Sequence, residues 1–337
     1  MPRILLLTAL LIEAATGHWW ISAKPSVESL GVYSVFRNEA QGIAEFVLHY
    51  FAEGASQLVL IDNLSTDGGG AIAAQLGATV VRTAGEEPSR DPVCKANALA
   101  ALTCRHRQNA IYHAHVHLMR TTWVLVVDID EFVYARRGFP TIAAFAATRP
   151  ANVGAIILPW KPFAPPPEDA QPLSRIEAST RRCDANVSGL SFCEKTLWRR
   201  EHLLSNASFS VHGATVRSRT VYSRHQPGKD LGRTGKCWRI RWGALKNHSV
   251  HSQAARDKDC LHLNHYSPSL DYWRRIKLAR ANGFHKRALS EETWFQQNAS
   301  FTTCELPHTD RELYAKRGSR FYEQLPTRRM SNGELWP

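Results

Sequence analysis

Trp123-Val124-Leu125-Val126-Val127-Asp128-Ile129-Asp130-Glu131 is an unbroken apolar run that turns abruptly acidic. A short run without period-two alternation, rich in β-branched residues, fits a strand buried on both faces. Such strands belong to sheets that carry helices on each side. The acidic cluster then sits at the carboxyl end of the strand, where open α/β sheets bind their ligands.

The chain upstream repeats this pattern. Residues 31–36, GVYSVF, form a β-branched and aromatic run ending at Arg37-Asn38-Glu39. In residues 42–52, Ile43, Phe46, Val47 and Tyr50 recur at helical spacing, and Gly54 stops the helix. Residues 57–61, QLVLI, predict a second buried strand running into Asp62. A turn at Asp67-Gly68, a short helix over 71–76 and a third strand over 79–81 follow. Residues 83–105 read as an insertion, and a helix is expected from Gln108 to Met119. The fold class is therefore α/β: a Rossmann-like, mostly parallel sheet with helices on both faces and three polar clusters lining one crevice.

The 337 residues suit a single catalytic domain whose two halves share a core. Residues 30–160 form the ligand-binding half and 161–290 an acceptor half, with an extension over 291–337. Most of the ten Trp and seventeen Pro fall after residue 150, which predicts a loop-rich second half. The net charge is +12, but the Lys and Arg residues are scattered, and no basic stripe or reading helix points to nucleic acid.

Residues 4–16, ILLLTALLIEAAT, follow Arg3 and are too short for a bilayer span, which takes about 20 apolar residues. They match the apolar core of a signal peptide, and small residues follow up to Gly17. Residues 1–17 are expected to be a signal peptide or short anchor, the chain's only link to a membrane. Five Asn-x-Ser sequons, at Asn63, Asn186, Asn206, Asn247 and Asn298, agree with a secretory address, in the Golgi lumen or outside the cell. Seven Cys without a C-x-x-C pair suit disulfides rather than zinc; Cys94–Cys104 and Cys183–Cys193 are the near neighbours.

Asp128 and Asp130 stand at i and i+2 and can reach one divalent cation directly or through its waters. Oxygen ligands suit Mg²⁺ or Mn²⁺, ions that keep positions open for substrate phosphates. An acidic pair after a strand also describes a solvated turn, and only the flanking VLVV and EF narrow the choice.

In this context residues 107–132, RQNAIYHAHVHLMRTTWVLVVDIDEF, resemble the helix-strand-DxD segment of family 92 and related family 2 glycosyltransferases of the GT-A type. Residues 35–69, with R-N-E, an amphipathic helix and D-N-x-S-x-D, are similar to that family's opening. Trp160 to Phe163, Ile176-Glu177, Glu194-Lys195-Thr196 and Asn264-His265-Tyr266 resemble further blocks in the same order. The likeness spans roughly residues 31–285. It departs at 83–105, 162–172 and 212–260, the stretches on which the acceptor depends.

The resemblance implies a metal-dependent transfer of a sugar, a hexose such as galactose, from a UDP-sugar to a glycan acceptor with inversion. Arg37, Asn38, Glu39, Asp62 and Asn63 would hold the nucleoside, although Asp62 to Asp67 also describes an Asx turn capping the next helix. Gln108 and Tyr112, one helical turn apart, would lie near the donor or pack in the core. His265 would complete the metal shell, and imidazole favours Mn²⁺ over Mg²⁺; Lys195 would meet the diphosphate or sit on the surface. Direct displacement needs a base for the acceptor hydroxyl. Glu177 is the first candidate and Asp169 the second, ahead of Glu168 and Glu194. The readings set against transfer are a carbohydrate-binding pseudoenzyme and a metal-dependent phosphohydrolase, which would want a second cluster of metal ligands.

Overall fold

The computed structural model describes residues 28–83, 107–166, 174–178, 191–206, 208–224, 237–239 and 258–278, with a few single positions besides. The N-terminal 1–17 segment, Cys94, Cys104, Cys183, Asp169 and the sequons at Asn186, Asn247 and Asn298 lie outside them, as does nearly all of 291–337. No helix among the described residues is long and apolar enough to cross a membrane.

The expected alternation of strand and helix is present. The first half consists of β1 (Leu30–Phe36), α1 (Ala40–Ala52), β2 (Ala55–Asp62), α2 (Gly69–Gln75), β3 (Thr79–Arg82), α3 (Arg107–His115) and β4 (Trp123–Val126). After α3 the chain continues as a single 3₁₀ turn, Val116–Leu118, so the helix expected to reach Met119 tightens before it ends. Beyond the acidic turn come β5 (Glu131–Ala135), α4 (Ile142–Ala147), β6 (Val153–Phe163), α5 (Arg175–Ala178), β7 (Ser191–Arg199), β8 (Arg219–Tyr222), β9 (Cys237–Arg239), β10 (Leu261–Tyr266) and α6 (Leu270–Tyr272).

One sheet runs in the order β3-β2-β1-β4-β7-β6-β10-β5, with β8 beside β6 and β9 beside β7. From β3 to β4 every pairing is parallel. β7 then enters antiparallel between β4 and β6. β10 is parallel to β6 and antiparallel to β5. The expected division at residue 160 falls inside β6, so both halves build a single sheet.

Side-chain alternation feeds two cores. Trp123, Leu125 and Val127 join Leu30, Val32, Phe46, Val47 and Tyr50 on the face covered by α1. Val124 and Val126 join Tyr33, Val59, Ile61, Tyr112 and Val116 on the face covered by α3. Burial of both faces explains why residues 123–127 are apolar at every position rather than at every second one. Gly54 closes α1 with φ 83°, a backbone open to glycine, where a Cβ would sit 2.9 Å from the Ala143 methyl. Cys193 is disulfide-bonded, and Cys260 is free and buried.

Candidate functional site

The carboxyl ends of β1, β2 and β4 lie side by side because the three strands are parallel neighbours. Register sets Phe36 against Asp62 and Tyr33 against Val126, so the clusters following these strands open at one end of the sheet.

The acidic turn after β4 is enclosed by charge. Asp128 Oδ1 accepts from Gln108 Nε2 at 2.8 Å, and Oδ2 accepts from Lys195 Nζ at 2.8 Å. Lys195 also stands 3.0 Å from Glu131 Oε2, with both side chains fully buried. The Asp128 backbone N–H donates to Glu131 Oε2 at 2.8 Å, closing the turn on itself. Burial works to raise the Asp128 carboxyl, but the Lys195 ammonium outweighs it and holds the group below its ordinary value. Glu131 goes the other way: burial pushes it to about 8, with Asp128 and Asp130 adding repulsion that Lys195 does not cancel. Its second oxygen, Oε1, is buried and has no hydrogen-bond partner among the described residues.

Behind the turn, Tyr266 N–H donates to the Asp130 carbonyl at 2.9 Å, and His265 lies opposite Glu131 in the β10–β5 register. The expected Asn264-His265-Tyr266 block therefore reaches the acidic turn through its backbone. The His265 ring lies flat on Trp160, with centroids 4.0 Å apart and planes at 11°. Among the described residues, no three His, Cys, Asp or Glu side chains are gathered as a ready metal-binding set. His265 thus does not complete one with Asp128 and Asp130 in this arrangement. His212, which belongs to no motif, lies edge-on to Trp160 with centroids at 6.0 Å. Burial, followed by the Lys195 charge, pushes its imidazole down to about 4, so the ring is neutral.

On the β2 side, the Asx-turn reading describes the geometry. Asp62 Oδ1 accepts from Ser65 N–H at 2.7 Å, and Oδ2 pairs with Arg82 at 3.4 Å. Asn63 Oδ1 accepts from Thr83 Oγ1 at 3.3 Å, and the Asn63 N–H donates to Phe36 carbonyl at 2.8 Å. Asn38 has φ 53°, unusual for a residue with a side chain, and its Oδ1 holds Thr66 N–H at 2.8 Å. Arg37 is half-buried at the end of β1.

Three of the expected donor residues make their contacts within the protein. Glu39 turns inward to Arg175 and Tyr272 rather than toward a ligand, because those groups supply the charge and the hydroxyl its buried carboxylate needs. Tyr112 is fully buried, and its hydroxyl accepts from Val35 N–H at 3.2 Å. Lys195 faces protein carboxylates, since β7 slots beside β4 and carries it to the acidic turn. Gln108 does reach the crevice, through Asp128. Of the proposed bases, Glu177 lies on α5, where the structure describes its backbone alone, and Glu194 is fully buried on β7.

No family model matches the chain, and no curated protein matches it. Among solved structures it is similar to glucosyl-3-phosphoglycerate synthase from Mycobacterium tuberculosis in complex with Mn²⁺ and UDP-glucose. The identity there is 15% and the TM-score 0.26, over 41% of this chain and 44% of that one. It is also similar to mannosyl-3-phosphoglycerate synthase from Rubrobacter xylanophilus, at 18% identity and TM-score 0.26, over 45% and 44% of the two chains. The match covers less than half the length of either protein.

Proposed function

We propose that the chain is a metal-dependent glycosyltransferase that moves a hexose, such as galactose, from a UDP-sugar to a glycan hydroxyl with inversion. The observation that carries this reading is the crowding of three carboxylates at the end of β4. Asp128, Asp130 and Glu131 follow one strand within four residues, Lys195 is set between Asp128 and Glu131, and burial first, then the two aspartates, push Glu131 to about 8. A divalent cation relieves such crowding, and carboxylate oxygens are the donors Mn²⁺ and Mg²⁺ prefer. Asp128 and Asp130 would hold the ion, which when bound supplies Lewis acidity to the departing diphosphate.

The other residues act on the substrates. Arg37, Asn38, Asp62 and Asn63 line the strand ends and offer the nucleoside a polar wall. Glu177, or Asp169 in its place, takes the proton of the acceptor hydroxyl as its oxygen bonds the anomeric carbon and UDP leaves with the bonding pair. In the same reading the protein works in the secretory pathway, supported by the apolar run over 4–16 and by Asn206, a sequon exposed at a turn.

A second reading, a sugar-binding module without turnover, is favoured by one observation: Lys195 and Gln108 already occupy both oxygens of Asp128. Calorimetric titration of UDP with Mn²⁺ present or chelated, on wild type and Asp130→Asn, tests metal use. Metal-dependent affinity in the wild type alone is the expected result, and equal affinity in all four conditions rejects the metal site. UDP release from a panel of UDP-sugars, with and without glycan acceptors, separates transfer from binding.

A further inference from the structure

Arg175 precedes the candidate base by two positions, and its side chain runs into the first half of the chain. It is 3% exposed, and its guanidinium donates to the carbonyl of Ile129 at 2.8 Å, the peptide between Asp128 and Asp130. The same group pairs with Glu39 at 3.2 Å, one residue before α1. Tyr272 closes this arrangement: its hydroxyl bonds Glu39, and its ring lies under the guanidinium with 5.6 Å between the charge and the ring centre.

Two features show that this place is built for an arginine. Glu45, fully buried on α1, accepts from Ser174 Oγ at 2.7 Å, Arg175 N–H at 2.8 Å and Ile176 N–H at 3.3 Å, so one carboxylate holds the start of α5. Gly42 leaves the space the guanidinium fills: a Cβ there would meet the Arg175 guanidinium at 2.9–3.0 Å. Burial opposes the Arg175 charge, and Glu39, then Tyr272 and Asp130, more than restore it.

We infer that Arg175 is a positioning residue that fixes the Asp128–Asp130 turn by gripping the carbonyl between the two aspartates, with Glu45 seating α5 so that it can. This rests on the donor-site reading above. A planar fork can hold a carboxylate and a carbonyl at once, whereas an ammonium offers a point charge. Docking of α5 and alignment of the metal-holding carboxylates are thereby one event. The segment that carries Glu177 is joined to the donor turn through the Arg175 side chain.

The experiment compares wild type, Arg175→Gln, Arg175→Lys and Gly42→Ala by calorimetric titration of UDP, with Mn²⁺ and with chelator, alongside thermal unfolding. Loss of a charged hydrogen bond at the turn is expected to cut the Mn²⁺-dependent gain in UDP affinity about tenfold in Arg175→Gln. Affinity under chelation should stay unchanged, and Arg175→Lys should recover part of the gain. A role in stability alone would lower the melting temperature and leave the ratio of the two affinities intact. Gly42→Ala keeps the arginine and displaces it, so it decides the matter if Arg175→Gln fails to fold. A wild-type ratio retained in whichever of the two variants folds overturns the inference. A wild type with no Mn²⁺-dependent affinity overturns the donor-site reading instead, whatever the variants do.

Discussion

Lys195 Nζ stands 2.8 Å from Asp128 Oδ2, the lysine side chain fully buried and the aspartate 31% exposed. The contact joins β7, from the second half of the chain, to the turn that the first half builds. It gives Asp128 one face on the protein and one on solvent, as a group would need that is both anchored and open to a ligand.

Replacing that lysine isolates the function of its charge. Lys195→Met leaves Glu131 and Asp128 without the ammonium they share, and it should lower stability by less than the about 3–5 kcal/mol of a fully buried pair, because the Asp128 side chain is 31% exposed. Added Mn²⁺ should raise the melting temperature of the variant more than that of wild type, because the ion substitutes for the lost charge. Thermal scans with and without MnCl₂ measure both; equal Mn²⁺ shifts would show that the carboxylates do not take the ion.

Tyr112 tests the line between core and crevice. Tyr112→Phe leaves the half-buried Val35 N–H without this acceptor, a loss of about 1 kcal/mol. UDP affinity should not change. A clear fall in affinity, with the fold intact by circular dichroism, would return this residue to the donor site.

Removing the proposed base should separate chemistry from binding. Glu177→Gln is expected to lower turnover by about 10²–10⁴-fold, the usual contribution of a positioned base. Its UDP affinity should match wild type. Near-normal turnover would transfer the role to Asp169.

His212 predicts an acid-sensitive fold. Its folded value lies near 4, below the ordinary 6.5, so the unfolded chain takes a proton that the folded one refuses. The contribution to stability is complete above about 6.5 and is lost as pH falls toward 4. His212→Gln should flatten the stability profile across this window, as followed by urea unfolding from pH 4 to 7. An unchanged profile would place the acid sensitivity elsewhere.

The donor side was open to reading because its signals are local. Apolar runs such as Val124–Val127 and the helical spacing of Ile43, Phe46, Val47 and Tyr50 each reside in a few residues, and strand-end geometry brings their polar tails together. The Lys195 contacts are not legible in the sequence because its neighbours come from another part of the chain: β7 runs antiparallel into a parallel sheet, and no pattern in Ser191–Arg199 announces that register. The Glu45 and Arg175 pairing was hidden for a related reason. Glu45 occupies a helix position that spacing alone assigns to neither core nor solvent, and only the fold brings Ser174 to it. Asp62 was ambiguous in the sequence, and the structure displays the turn-forming half of the two roles it was given.

The antiparallel entry of β7 also sets a schedule for biosynthesis. β4 is paired with β1 on one side, and its other edge waits for residues up to Arg199. A nascent chain that has emerged only through the acidic turn therefore exposes the unpaired N–H and C=O groups of a very apolar strand, an invitation to pair with another chain. Until β7 arrives, Asp128 and Glu131 also lack the Lys195 ammonium that stands between them. Ribosome-bound intermediates that stop short of β7 should accordingly depend on chaperones, and truncations placed there should accumulate as aggregates rather than as a smaller folded protein.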